Sequence, residues 1–192
     1  VAQVVSTTPS YQNLTFSGAG VKTPASGTLS IAGNWDCSSA AALNTNNTTI
    51  SLTGNLIGNG SITQGTNLIT VGGDWTNTGT FTATSAGVTL TGSSKQITGS
   101  ASGITFTTLT VNGTYTNNNT TGLTVSTALN GSGTLTQGTN AVLNISGTIG
   151  TLTLTATASP NTVNYNGSGA QAVKGTSYNI LKINNAAGAT LG

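Results

Sequence analysis

Two apolar residues separated by one polar residue, then another polar residue, then glycine: this short pattern recurs along the whole chain. It reads LTFSG at 14, LSIAG at 29, ISLTG at 50, ITVGG at 69, VTLTG at 88 and LTVNG at 109. It continues, less strictly, as LTVST at 123, LNISG at 143, VNYNG at 163 and LKINN at 181. Successive starts lie 14 to 21 residues apart, a little under 19 on average. Within each copy the period is two, which is the signature of a strand rather than a helix. Thr, Val, Ile and Leu at these places suit a half-buried strand. The text between copies, such as NTNN, GNGS, TNTG and NNNTTG, is turn chemistry, since Asn and Gly tolerate left-handed backbone. The one helix candidate, SSAAALN at 38 to 44, is short and uncapped.

Short strands at this spacing could form antiparallel hairpins or a parallel coil. Three features favour the coil. A repeat near 19 residues matches one turn of a β-solenoid built from two or three short strands and their corners. Equivalent positions keep one residue type down the chain, as stacked rungs require. The position four after the first apolar residue is Gly in eight of the ten copies, Thr127 and Asn185 being the exceptions. A corner where the backbone bends and neighbouring rungs crowd asks for Gly. The expected fold is therefore all-β: one parallel β-solenoid (β-helix) over residues 1–192, with about ten rungs and no significant helix. At about 4.8 Å per rung it would be a rod on the order of 50 Å long. Its apolar ladders would be Leu14–Leu29–Ile50–Ile69–Val88 and Phe16–Ile31–Leu52–Val71–Leu90.

A longer echo overlies the rungs. GSITQGTN at 60 to 67 returns as GTLTQGTN at 133 to 140, 73 positions on. VTLTGSSKQITG at 88 and VNYNGSGAQAVKG at 163 likewise share a Gln eight residues after the first Val. Both echoes read as one strand and corner repeated a superrepeat apart. The superrepeats open on aromatic residues, Tyr11, Phe106 and Tyr178, and the first, longer unit would hold an extra rung carrying Trp35.

Composition sharpens the picture. Of 192 residues only six are charged, four Lys and two Asp, and His, Arg, Glu and Met are absent. A typical domain is roughly a quarter charged. Such a chain would be disordered if its apolar residues were scattered, and their periodicity argues against that. Four dispersed lysines make no track for a phosphate backbone, so nucleic acid is not an expected partner. No apolar run approaches the roughly 20 residues of a membrane-spanning helix. The opening VAQVVSTTPS, without Met or a basic stretch before an apolar one, fits a secreted chain whose signal peptide has gone. Cys37 is the only cysteine, which excludes an intrachain disulfide and suits a small buried side chain, with a link between subunits as the alternative.

VGGDWTNTGTFTATSAGVTLTGSSKQITG (71 to 99) followed by FTTLTV resembles the Thr/Asn/Gly-rich repeats of very large secreted and cell-surface proteins of bacteria, especially Bacteroidota-type adhesin-like proteins. The matching parts are Gly73 to Asn77, then Val163 to Ser168 with Gln171, then Tyr178 to Asn185. The resemblance implies an extracellular β-solenoid serving adhesion, surface coating or fibre formation, and it brings no catalytic residues or cofactor. Family members usually run longer, so this chain would be an excerpt or a compact relative.

Little in the chain invites catalysis, and no catalytic residue, metal or cofactor is expected. Asp36 and Asp74 occur beside Trp35 and Trp75, about two rungs apart, but on opposite sides of their tryptophans. A glycosidase pair needs its carboxyls about 5 to 10 Å apart, and structural corner residues are the simpler reading. Two acids fall short of a calcium shell, and a lone Cys without His makes no zinc site. A Lys22–Asp36 pairing leading to an isopeptide link is conceivable. Two binding surfaces are possible as alternatives. Trp35, Trp75 and Tyr115 could make a shallow carbohydrate platform, or they could pack over rung corners. An ice-binding face would need a Thr-x-Thr array, and the two outward columns beside the ladders contain only Thr89–Thr91 as a true pair.

The termini suggest a partner. SYNILKINNAAGATLG opens a further superrepeat, and Val1, Val4 and Val5 precede the matching motif at Tyr11. One chain's Tyr178, Leu181, Ile183 and Leu191 could thus be continued by the next chain's Val1, Val4, Val5 and Tyr11. A head-to-tail contact of this kind generates an open filament. The leading expectation is a secreted structural subunit of such a fibre. The alternatives are a stalk or adhesive segment of a larger surface protein, or a carbohydrate- or ice-binding solenoid.

Overall fold

A computed structural model describes residues 3–37, 41–99 and 102–192. The described chain is all β and contains no helix. Every strand pairing is parallel. The strands stack as a β-solenoid of about nine turns, with about 20 residues per turn. Paired residues are never fewer than 18 apart (Thr162 beside Ile180) nor more than 22 (Trp75 beside Ile97). Of the helix candidate at 38 to 44, the part Ala42–Asn44 is a strand and 38–40 lie outside the described residues.

Three faces enclose the core. The first carries Gln3–Val5, Val21–Pro24, Ala42–Asn44, Ser61–Thr63 and Phe81–Thr82. The second begins with Gly27–Ile31, Thr48–Leu52, Ile69–Val71 and Val88–Leu90. The third runs from Leu14–Phe16 through Trp35–Cys37, Leu56–Gly58, Trp75–Asn77, Lys95–Gly99, Thr114–Asn117 and Thr134–Gln137 to Thr153–Thr155. In the sixth and seventh turns two long strands, Ile104–Val111 and Leu123–Asn130, run through both of the first two faces. The second half of the earlier strand continues the second face, with Leu109 beside Val88. Its first half takes over from the first face, where the Phe106 ring lies 5.5 Å from that of Phe81. The break in register between Phe106 and Thr108 is the bend between the halves.

This geometry explains the two short intervals in the sequence pattern. LTF at 14 is not on the second face at all: Leu14 and Phe16 stand beside Trp35 and Cys37 on the third. LTV at 123 stacks on Ile104 and Phe106, while Leu109 is continued by Leu129. The apparent steps of 15 and 14 residues are changes of face, and the turn length is nearly constant. The remaining ladder members stand as expected, Leu29–Ile50–Ile69–Val88 and Ile31–Leu52–Val71–Leu90. All eight are buried.

The repeated octapeptides also part company. Ile62 of GSITQGTN is on the first face and Leu135 of GTLTQGTN on the third. The motif therefore encodes a strand with a following corner, reused at a different vertex, rather than one fixed place in a superrepeat. Each holds a buried glutamine at its fifth position, Gln64 or Gln137. The second echo diverges further, since Gln96 is exposed and Gln171 is buried. Of the aromatic openers, Tyr11 pairs with Ile31, Phe106 is buried in the bend, and Tyr178 pairs with Ala156 beyond the third face.

Five members of the glycine column, Gly33, Gly54, Gly73, Gly92 and Gly113, form a corner spine between the second and third faces, continued by Gly133; Gly18, Gly147 and Gly167 follow strands of other faces and stand off it. A Cβ on Gly54 would run into the carbonyl of Gly33, one on Gly113 into that of Gly92, and one on Gly133 into that of Gly113. Beside this spine a polar thread climbs the surface. Asn13 Oδ1 accepts from Asn34 N at 2.7 Å, Asn34 Oδ1 from Asn55 Nδ2 at 3.0 Å, Asn55 Oδ1 from Asp74 N at 2.8 Å, and Asp74 Oδ1 from Gln96 N at 2.8 Å.

Candidate functional site

The residues with chemistry are spread along the rod rather than gathered. Asp74 serves the polar thread just described, and Asp36 lies outward between Trp35 and Cys37 with the strand Leu56–Gly58 intervening. Lys22 points inward and is 4 % exposed; its ammonium donates to the carbonyls of Gly18, Ala19 and Gly20. Those carbonyls take its three donors, so the Lys22–Asp36 pairing that the sequence left conceivable is not formed. Lys174 Nζ likewise donates to Gly150 O at 2.9 Å. Among the described residues no three His, Cys, Asp or Glu side chains come together as a metal site would require.

Cys37 is fully buried between Phe16 and Gly58. Burial first, and the Asp36 carboxylate second, push its thiol up to about 11, against a weaker opposing pull from Lys22. A thiol so held is protonated near neutrality and out of reach of another subunit's cysteine. Tyr178 is raised too, mainly by burial and then by its 3.2 Å hydrogen bond with Tyr165.

The three aromatic residues considered as a sugar platform are inside. Trp35 and Trp75 are fully buried and Tyr115 nearly so. The two tryptophans alternate with smaller side chains up the third face, Leu14–Trp35–Leu56–Trp75–Ile97, while Tyr115 stands between Lys95 and Leu135. The Trp75 ring packs edge-on to Phe81 at 5.0 Å and to Phe106 at 4.9 Å. Tyr115 spends its hydroxyl on Val71 O and Gly73 O. Stacking a sugar needs an open ring face, and these rings offer none. The alternation in WDC and WTN carries the inward signal, but WDC has no Gly four residues after its Trp and WTN puts the polar Asn77 at its second inward place, so both escape the pattern that marks the second face.

Sequence reasoning also misses a set of buried amides. Asn117 Nδ2 donates to Gln137 Oε1 at 2.8 Å and to Val142 O at 3.1 Å. Gln171 Nε2 donates to Ile145 O and Gly147 O, both at 2.8 Å. These side chains close the corners from within, satisfying backbone carbonyls that the bends leave unpaired.

The two ends of the rod are its open surfaces. At one end, the edge strand Gln3–Val5 leaves Val4 76 % exposed and Val5 half-buried. Beside it a cleft of about 410 Å³ is lined by Val4, Val5, Leu14, Phe16 and Lys22. Tyr11 is half-buried there and donates its hydroxyl to Ser6 O at 2.9 Å. At the other end lie Ile180–Ile183 and Ala189–Leu191, with Leu191 83 % and Ile183 45 % exposed and Leu181 half-buried. Tyr178, half-buried at the same end, pairs with Ala156 and is hydrogen-bonded to Tyr165 and Lys174. Val1 lies outside the described residues. The described candidate assembly residues thus divide into two groups at opposite ends.

No protein-family model, no curated protein and no solved structure matches this chain. Among the described residues no helix is long and apolar enough to cross a membrane.

Proposed function

We propose that this chain is a structural rod of the bacterial cell exterior, a β-solenoid subunit that stacks head to tail on copies of itself. One observation carries the reading: among the described residues, strand edges without a partner and with exposed apolar side chains stand at both ends, Val4 at one and Ile183 and Leu191 at the other. An edge of this kind offers backbone donors and acceptors to a further strand. Because all strands run parallel, one chain's last edge is complementary to the next chain's first edge, and the contact is heterologous and open-ended. A chain with only six charges sets little repulsion against such stacking. The likeness to secreted adhesin-type repeats supports an exterior location. In the second reading the same edges are continued by flanking turns of one longer chain, a stalk or adhesive segment.

Sedimentation velocity on the chain and on Val4→Lys and Leu191→Lys separates the two. Head-to-tail stacking predicts polymers that grow with concentration, and little beyond monomer for either variant alone. A mixture of the two variants retains one intact pair of ends and should stop at dimers. A folded chain that stays monomeric at all concentrations overturns self-assembly and leaves the stalk reading.

A further inference from the structure

The Thr-x-Thr array absent from the columns beside the second-face ladders is present elsewhere. On the third face, in three successive turns, Thr114 stands beside Thr134 and Thr134 beside Thr153; Thr116 stands beside Thr136 and Thr136 beside Thr155. The residues between them, Tyr115, Leu135 and Leu154, point inward and are at most 2 % exposed. That anchoring turns each threonine pair outward, and the three strands keep register without a bulge. The result is a two-by-three grid of threonines on an uncharged stretch of sheet.

What sets the grid apart is the pairing of two outward threonines on each of three successive strands; the second face stacks Thr70, Thr89 and Thr110 in a single column. Several other threonine hydroxyls are tied down, as Thr48 is to Ala25 O, Thr66 to Asn47, Thr80 to Ser61, Thr84 to Gly65 O and Thr98 to Thr76. In the grid only Thr114 is engaged, by the backbone N–H of Ser94 at 2.6 Å. The side chains of Thr116, Thr134, Thr136, Thr153 and Thr155 have no protein partner among the described residues.

We infer that this grid is an ice-binding surface. Parallel strands set the hydroxyls about 4.8 Å apart across the sheet, and residues two apart along a strand about 6.6 Å apart. These repeats are close to the oxygen spacings on a prism face of ice. Threonine is β-branched and stiff at χ1, so its hydroxyl and methyl hold fixed positions on a rigid sheet. Waters bound to such a grid are already ordered in two dimensions, and joining a crystal costs them little further entropy. A charge on the grid would hold its own hydration shell and break the match. The methyl groups fill the spaces between waters without competing for them. Ice binding is independent of self-assembly, since the grid lies on the side of the rod.

The test is partition of the folded chain into a slowly growing ice front, together with inhibition of ice recrystallisation. The variants are Thr134→Lys and Thr136→Lys on the grid and Thr70→Lys on the second face, each checked for an unchanged strand spectrum. Thr136→Val is a gentler variant that removes the hydroxyl at nearly constant shape. The chain should enter ice, either lysine variant should lower its partition at least about tenfold, and Thr70→Lys should leave it unchanged. Exclusion of the folded chain from ice overturns the inference, as does equal loss in Thr70→Lys. So does sedimentation with insoluble glucan that depends on Thr136 while the ice fraction stays empty, which would assign the grid to a polysaccharide.

Discussion

At Gly113 a side chain has nowhere to go. Any Cβ there would enter the carbonyl of Gly92 one turn below, and that carbonyl belongs to a corner that cannot yield without moving the next turn. Gly113→Ala should therefore destabilise the rod by about 2–4 kcal/mol, in the range of overpacked or strained backbone sites. Gly169→Ala is the matched control: a Cβ at that position meets no atom within 4 Å, and the change should alter stability by no more than about 0.5 kcal/mol. Denaturant midpoints of the two variants measure the difference. Cys37 makes a pH-dependent contribution of definite sign. Its folded value, about 11, lies above the ordinary 9.0, so the folded state holds the proton more tightly. Its stabilising effect is complete below pH 9 and is lost as pH rises through 11. Unfolding midpoints should fall over that window, and Cys37→Ala should flatten the fall. Tyr115 and Tyr178 are raised in the same sense, so part of the slope should persist in the variant.

At the scale of the strand, much of the fold is legible and its limits have a physical cause. Period-two alternation marks a strand wherever it occurs, and the second-face ladders stand where that alternation puts them. It does not say which face a strand joins, because all three faces ask for the same alternation. Leu14 and Phe16 are as good a strand as Leu29 and Ile31, yet they stack on Trp35 and Cys37. Only the next turn decides, through a register that no single copy contains. The repeated TQGTN corner is ambiguous for the same reason, since it describes a bend and not its vertex. The tryptophans misdirect for another: their neighbours Asp36 and Asp74 look like a site, while the rings themselves fill the core. The bend in Ile104–Val111, where two faces merge, depends on one such filling. Phe106 closes on Trp75 at 4.9 Å and on Phe81 at 5.5 Å. Phe106→Ala should cost about 3–5 kcal/mol, as for other buried aromatic truncations. Equilibrium unfolding followed by tryptophan fluorescence reads this directly, because Trp75 lines the same space.

For the whole molecule, turn-on-turn pairing supplies the cohesion, and the chain is in effect one-dimensional. The sides are finished surfaces, clad in Thr, Asn and Ser, whereas the ends present strand edges with Val4, Ile183 and Leu191 in the open. Leu181 and Ile183 are legible in the sequence as members of the last copy of the pattern, whereas Val4 and Leu191 lie outside its ten copies. The threonine grid is less legible, since the pairs 114/116, 134/136 and 153/155 line up only once the third face is recognised. A structural role as a fibre subunit requires that the two ends join. Cryo electron microscopy of the chain at neutral pH is the decisive observation. Nine turns at about 4.8 Å give about 43 Å per subunit, so joined ends should yield long filaments with an axial repeat near that value. Isolated rods of about that length, unchanged at high concentration, would contradict it.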